Sequence, residues 1–203
     1  MTSVDNAPVA EVPDPSAKPL SGGRARHTRR RLVIEWVSIL AVAIVASLLL
    51  RTFVFQTFYI PSGSMNPTFW KGDRIIVNKL SVELGHINIG DIIVFKAPPS
   101  VKEHCPEADA DLVKRVIGVP GDHLTSRGNA IYVNGRRLHE NWSHWEPLSG
   151  AIGKVTVPAG RYFVMGDNHA NSCDSRMWGT VPRSDIIGKV FLVIWSPSHI
   201  RWI

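Results

Sequence analysis

Cysteine is scarce in this chain: two residues, Cys105 and Cys173, among 203. Two cysteines can close one bridge and no more, so a disulfide-stapled scaffold is excluded. Neither belongs to a C-x-x-C pair, and the histidines are scattered without zinc-ligand spacing, so the sequence asks for no metal and no cofactor. Acidic residues are missing between Lys18 and Arg31, where Lys18, Arg24, Arg26, Arg29, Arg30 and Arg31 fall. The rest of the chain is nearly balanced, so the net charge of +6 sits in this cluster. No aromatic side chain interleaves with it, which argues against a nucleic-acid stacking platform. Internal repeats are absent, and beyond residue 51 no sustained helical period appears.

What is present divides the chain into three parts. Residues 1–31 hold Pro8, Pro13, Pro15 and Pro19 among small polar residues, then Gly22 and Gly23. Such a segment cannot bury enough surface to offset its ordering entropy, and it reads as a disordered basic tail. Residues 32–51 follow as LVIEWVSILAVAIVASLLLR, with Glu35 the one acidic residue near the start. The length suits a single membrane-spanning helix. Arg29–Arg31 before it against one Arg51 after it places the N-terminus in the cytoplasm and the remainder outside. A cleaved secretory signal is the competing reading, but the small residues Ala41, Ala43 and Ala46 lie inside the apolar run and no A-x-A follows Leu50.

From residue 52 to 203 the pattern changes to short runs rich in Ile, Val, Phe and Tyr. They are RIIVNKL (74–80), DIIVFKA (91–97), VKRVIGV (113–119), AIYVNG (130–135), RYFVMG (161–166) and KVFLVIW (189–195). Turn signals separate them, and Asn134-Gly135 between IYV and RRL marks a hairpin. The expected fold is mostly β and largely antiparallel, preceded by one transmembrane helix.

Three segments carry residues suited to chemistry. In IPSGSM (60–65), Gly63 permits a tight turn that exposes Ser64 beside the hydroxyl of Ser62. Acyl transfer needs a nucleophile next to donors placed in advance for the oxyanion. In LVKRVIGVPGD (112–122), alternation sets Lys114 and Val116 on one face and Arg115 on the other. Buried, Lys114 would lose proton affinity and become able to take a serine proton. In GDNHANSCDSRMWGTVP (166–182), Asp167, Asn168, Ser172, Asp174, Ser175 and Arg176 crowd a short loop. Ser172 is placed to orient an amine, and Asp174 with Arg176 to brace the loop. Each segment alone is also compatible with an ordinary solvated loop or edge strand. His169, His104, His123 and His144 have no local signature linking them to Ser64.

Together and in this order, the anchor, PSGSM, GDRIIVNK (72–79), GDIIVFKAP (90–98), VKRVIGVPGD (113–122) and GDNHANSCDSR (166–176) resemble the type I signal peptidases of bacteria. The resemblance spans nearly all of residues 53–195. It implies an antiparallel β-sheet catalytic core with a small β extension. It also implies a serine endopeptidase that removes signal peptides from exported preproteins, cutting after Ala-x-Ala. Ser64 would be the nucleophile and Lys114 the general base, with Ser172 positioning the lysine. The Ser64 N–H and the Ser62 hydroxyl would form the oxyanion hole. Asp167, Asp174, Arg176 and Arg115 would support the site. Phe58, Ile60, Pro61, Val94 and Val113 would line the pockets for small side chains. The implied partners are signal peptides, the lipid bilayer and the neighbourhood of the translocation channel. The implied location is the plasma membrane, single-pass, with the catalytic domain outside.

The chain departs from the family pattern at His169, where arginine is commoner, and at Cys173, which replaces a small residue beside Ser172. With the HCPEADAD loop (104–111) ahead of Lys114, this brings Cys105 and Cys173 into plausible reach for a disulfide. The stretch 123–165 leaves room only for a small extension. Lys114 in place of histidine argues against the endoplasmic-reticulum type. Self-cleaving Ser-Lys regulators would need a DNA-binding domain where this chain has its apolar helix, and an inactive binding module would not need Ser64, Lys114 and Ser172 intact.

Overall fold

The computed structural model describes residues 23–142, 147–195 and 200–203. Two compact units divide at Ala46 and Ser47. The first is dominated by α1, which runs Gly23–Phe53. Its stretch Arg29–Leu49 is long and apolar enough to cross a membrane, since 21 residues at a rise of 1.5 Å span about 30 Å. Its large apolar side chains between Leu32 and Leu49 are exposed. The helix starts nine residues before the expected boundary at 32, so residues 23–31 are helical rather than tail. Once nucleated in the apolar run, a helix extends easily through Ala and Arg, which have high intrinsic propensity. The rest of the expected tail, residues 1–22, lies outside the described residues.

The second unit is built on a large sheet with strand order β1-β2-β11-β3-β4-β9-β10 and β12 added to β11. Its strands are β1 (Phe55–Tyr59), β2 (Arg74–Asn78), β3 (Ile92–Lys96), β4 (Asp111–Gly118), β9 (Arg161–Met165), β10 (Val181–Pro182), β11 (Ile186–Trp195) and β12 (Arg201–Trp202). All its pairings are antiparallel. A second sheet, ordered β7-β6-β5-β8, is inserted between β4 and β9; it holds β5 (His123–Arg127), β6 (Ala130–Val133), β7 (Arg136–Arg137) and β8 (Val155–Thr156). This is the small extension. Its β6–β7 turn places Asn134 at φ 51° and Gly135 at φ 79°, the left-handed pair that a two-residue hairpin demands and that Asn-Gly adopts at low cost.

Three apolar clusters hold the unit together. Ile93, Phe95, Val116 and Val164 pack against Trp178 and Val181 on one side of the large sheet. Ile60, Met65, Phe69, Ile75, Val94 and Val193 form a second cluster. The third joins the sheets: Leu124, Ile131 and Val157 of the extension meet Ile117, Phe163 and Met165 of β4 and β9. Short helices α2 (Leu80–Glu83), α3 (Pro99–His104) and α4 (Ser175–Trp178) cover connections.

Candidate active site

The Ser62–Ser64 turn is fixed on both flanks by burial. Ile60 before it and Met65 after it are almost wholly enclosed, as is Phe69. The Ile60 N–H donates to Asp73 and its carbonyl accepts from Gly72, both at 2.9 Å, so the chain leaves β1 as an extended strand. The turn then doubles back, with Asn66 N–H donating to the Gly63 carbonyl at 3.1 Å. Ser62, Gly63 and Ser64 are left as the accessible tip between buried anchors.

Lys114 approaches that tip from the middle of β4, opposite Ile93 of β3. Its Nζ lies 2.6 Å from Ser64 Oγ, and the residue is 3 % exposed. Burial pushes the amine from 10.5 down to about 8; Asp174 and Asp167 pull it up, and Arg176 pushes it down, but lost hydration wins. Ser62 Oγ lies 3.4 Å from Ser64 Oγ. The Ser64 N–H has no backbone partner among the described residues.

A cleft of about 340 Å³ opens beside these groups. Phe58, Ile60, Pro61, Val94 and Val113 line it together with Ser62, Ser64 and Lys114. Its walls are therefore the end of β1 and the paired strands β3 and β4, where Val94 sits opposite Val113. Asp109 and Asp111 add carboxylates to the lining.

Two buried ion pairs frame the lysine. Arg115, next to it on β4, donates from Nε and Nη2 to the two oxygens of Asp167 at 2.8 and 2.7 Å, and from Nη1 to the Gly90 carbonyl at 2.7 Å. Its guanidinium lies 4.5 Å from the centre of the Trp142 ring. Asp174 is fully enclosed; it accepts from Arg176 Nε and Nη2 at 2.7 and 2.8 Å and from the Gly166 N–H at 3.1 Å. Such two-pronged contacts fix orientation as well as charge.

The loop after β9 docks directly on the Ser62–Ser64 turn. Asn168 N–H donates to the Ser64 carbonyl at 3.1 Å, and Asn168 Nδ2 to the Gly63 carbonyl at 3.3 Å. Gly166 makes the approach possible, because a Cβ there would stand 2.3 Å from both Ser172 Oγ and the Ser64 carbonyl. Ser172 is thus beside Ser64, but its Oγ is buried without a hydrogen-bond partner among the described residues, Lys114 included. Cys105, which caps α3, and Cys173 are joined as a disulfide with Cα atoms 6.5 Å apart. His169 is buried and faces Glu140 rather than Ser64.

Sequence reasoning missed Thr68, whose Oγ1 donates to Asp167 at 2.5 Å, and the roles of Asn168 and Trp142. The signal for Asn168 was present, since it lies within the crowded 166–176 loop. Thr68 and Trp142 reach the site only through tertiary packing.

Residues 33–195 match the family described as signal peptidase, peptidase S26. The chain is 36 % identical to the signal peptidase I of Leptolyngbya laminosa, over 94 % of each chain. It is 34 % identical to that of Mycobacterium tuberculosis, over 98 % of this chain and 85 % of the other. It is 40 % identical to that of Bacillus caldolyticus, over 79 % and 90 %.

Proposed function

Since this chain belongs to the signal peptidase family, peptidase S26, and is a peptidase, we propose that it cleaves signal peptides from exported preproteins with Ser64 as nucleophile and Lys114 as general base. The observation that carries the reading is the 2.6 Å contact between Ser64 Oγ and an amine buried beside a substrate-sized cleft. In its neutral form that amine accepts the Ser64 proton as Oγ attacks the scissile carbonyl. The protonated amine then returns the proton to the leaving nitrogen. Water, deprotonated by the same amine, releases the acyl group from Ser64. The developing oxyanion would be met by the Ser64 N–H and the Ser62 hydroxyl. Ser172, with a buried hydroxyl that has no partner, would take up a hydrogen bond to the Lys114 amine and steer it during the cycle.

Specificity for Ala-x-Ala would follow from the cleft. Phe58, Ile60, Pro61, Val94 and Val113 line it, and such walls accept a methyl group and exclude larger side chains by overlap. The anchor and its orientation belong to the same proposal: α1 spans the plasma membrane with its basic N-terminal end in the cytoplasm, and the β unit works outside, near the translocation channel. Protease accessibility of the β unit from the outer face of intact spheroplasts tests the orientation, and digestion only after lysis would reverse it.

The chemistry is tested with purified enzyme in detergent and a preprotein carrying Ala-x-Ala. Wild type is expected to cut after that motif, and Ser64→Ala and Lys114→Ala to lose activity by at least about a hundredfold while staying folded. A Lys114→Ala enzyme that cuts at the wild-type rate would remove lysine as the base.

A further inference from the structure

The loop that follows β9 carries Ser172, Asp174 and Arg176, and its far side leans on the segment between β7 and β8. His169 in this loop is 2 % exposed, and its Nε2 lies 3.2 Å from Oε1 of Glu140, whose side chain is also largely enclosed. The approach is off the hydrogen-bond axis, and neither atom has another partner among the described residues. Separated, each would be a buried polar atom with nothing to replace lost water, so the two hold each other in place. A second tie comes from Ser149. Its Oγ donates to the His169 carbonyl at 2.7 Å, while Arg176 Nη1 donates to the carbonyls of Ser149 at 2.7 Å and His169 at 3.0 Å. The remaining nitrogens of Arg176 grip both oxygens of Asp174. Contacts therefore run from the extension through His169 and Arg176 to Asp174, one of the charges that bear on the Lys114 amine.

We propose that Glu140 and Ser149 are positioning residues for Lys114: the extension clamps the loop after β9 and so keeps the amine dry and in reach of Ser64. The inference rests on Lys114 being the general base. Neither residue touches the reacting atoms. The charged groups acting on the amine are Asp167, Asp174 and Arg176, all from the loop after β9, the first paired with Arg115 on β4, while Asp109 and Asp111 line the cleft beside it. Those facing His169 are Glu140 at its ring and Arg176 at its carbonyl. Releasing the clamp admits water, weakens the desolvation that lowers the amine, and moves it up toward its ordinary value. Loss of the Glu140 charge acting directly through space would move it down, so the sign of the shift separates positioning from a field effect.

The test is the pH dependence of preprotein cleavage by the full chain in detergent, comparing wild type with Glu140→Ala, Glu140→Gln, Ser149→Ala and Lys114→Ala. Glu140→Ala is expected to lower kcat about tenfold near pH 8 and to move the acid limb of the kcat profile up by about one unit, with KM changed less than about twofold. Glu140→Gln keeps the side-chain shape and a polar amide against the His169 ring, and should restore kcat to within about threefold of wild type. Ser149→Ala should shift the limb in the same direction by less. An unmoved or downward-moved limb in both alanine variants, or a change confined to KM, overturns the proposal. If Glu140→Ala loses its near-ultraviolet circular dichroism, the Ser149→Ala limb decides alone: upward supports the clamp, unmoved rejects it. Failure of the underlying assignment is seen separately, because Lys114→Ala would then remain active, whereas failure of the clamp leaves it dead.

Discussion

At the scale of single residues, Lys114 carries the proposed chemistry and a stability cost. Its amine is pushed down to about 8 by burial, so cleavage should rise with pH along an acid limb centred near 8. A limb centred below 6.5 would point to a different base. The stability sign runs the same way. Between about 8 and 10.5 the unfolded chain keeps the lysine proton and the folded chain gives it up, so stability rises with pH across that window. Below about 8 both states are protonated, and the cost of enclosing the cation is present in full. Lys114→Met should therefore be inactive yet more stable than wild type at pH 7, by on the order of 2–3 kcal/mol, with the gain shrinking toward pH 10. Thermal unfolding of both proteins at pH 7 and pH 10 checks this. A Met variant less stable at both values would mean that the amine carries no such cost.

At the scale of elements, the site is a meeting of strand ends with one loop. β4 carries Lys114 and Arg115 on successive positions, and the pleat sends one to the cleft and the other to Asp167 at the end of β9. Removing one partner of such a buried pair strands the other, so Asp167→Ala should cost about 3–5 kcal/mol, measurable as a lowered urea midpoint with unchanged slope. The loop after β9 crosses the Ser62–Ser64 turn closely at Gly166. Gly166→Ala would force its Cβ into Ser172 Oγ and into the backbone carbonyl of Ser64. It should lower kcat by about a hundredfold, since ångström-scale misplacement of reacting groups is that costly, with a smaller proportional effect on KM. Activity near wild type would show that the loop can back away from Ser64 without consequence.

At the scale of the whole β unit, one covalent tie crosses a long separation. Cys105 and Cys173 lie 68 residues apart in sequence, on either side of β4, the extension and β9. A bridge across so long a loop removes much freedom from the unfolded chain. Replacing both cysteines with serine should lower stability by about 2–4 kcal/mol, or on the order of 5–15 °C in Tm. Reductant should destabilise the wild type and leave the double variant unmoved. Equal response of the two to reductant would show that the bridge contributes nothing to the folded state.

Much of the fold was legible before any coordinates. The apolar run at 32–50 marked α1; the runs at 74–80, 91–97, 130–135 and 161–166 each contain an observed strand, and those at 113–119 and 189–195 cover most of β4 and β11, which start two and three residues earlier. The hairpin at Asn134-Gly135 follows from local backbone preference alone. Other elements were hidden for physical reasons. β1 continues the apolar stretch after the anchor and shows no alternation of its own, because it is an edge strand largely open to solvent. β7, β8, β10 and β12 have two residues each, too few to carry a period. Taken singly, the segments around Ser64, Lys114 and 166–176 were only compatible with such chemistry; it was their order along the chain, and the resemblance it carries, that singled those residues out. That Lys114 points inward and meets Ser64 across 50 residues of sequence was decided only by strand pairing. So were the Thr68 and Trp142 contacts and the grip of Glu140 and Ser149 on the loop, whereas Phe58, Ile60, Pro61, Val94 and Val113 were already expected as pocket walls from the resemblance. Local pattern encodes which face of a strand is apolar, whereas proximity between distant segments and the loss of water around a charge exist only once the sheets have closed.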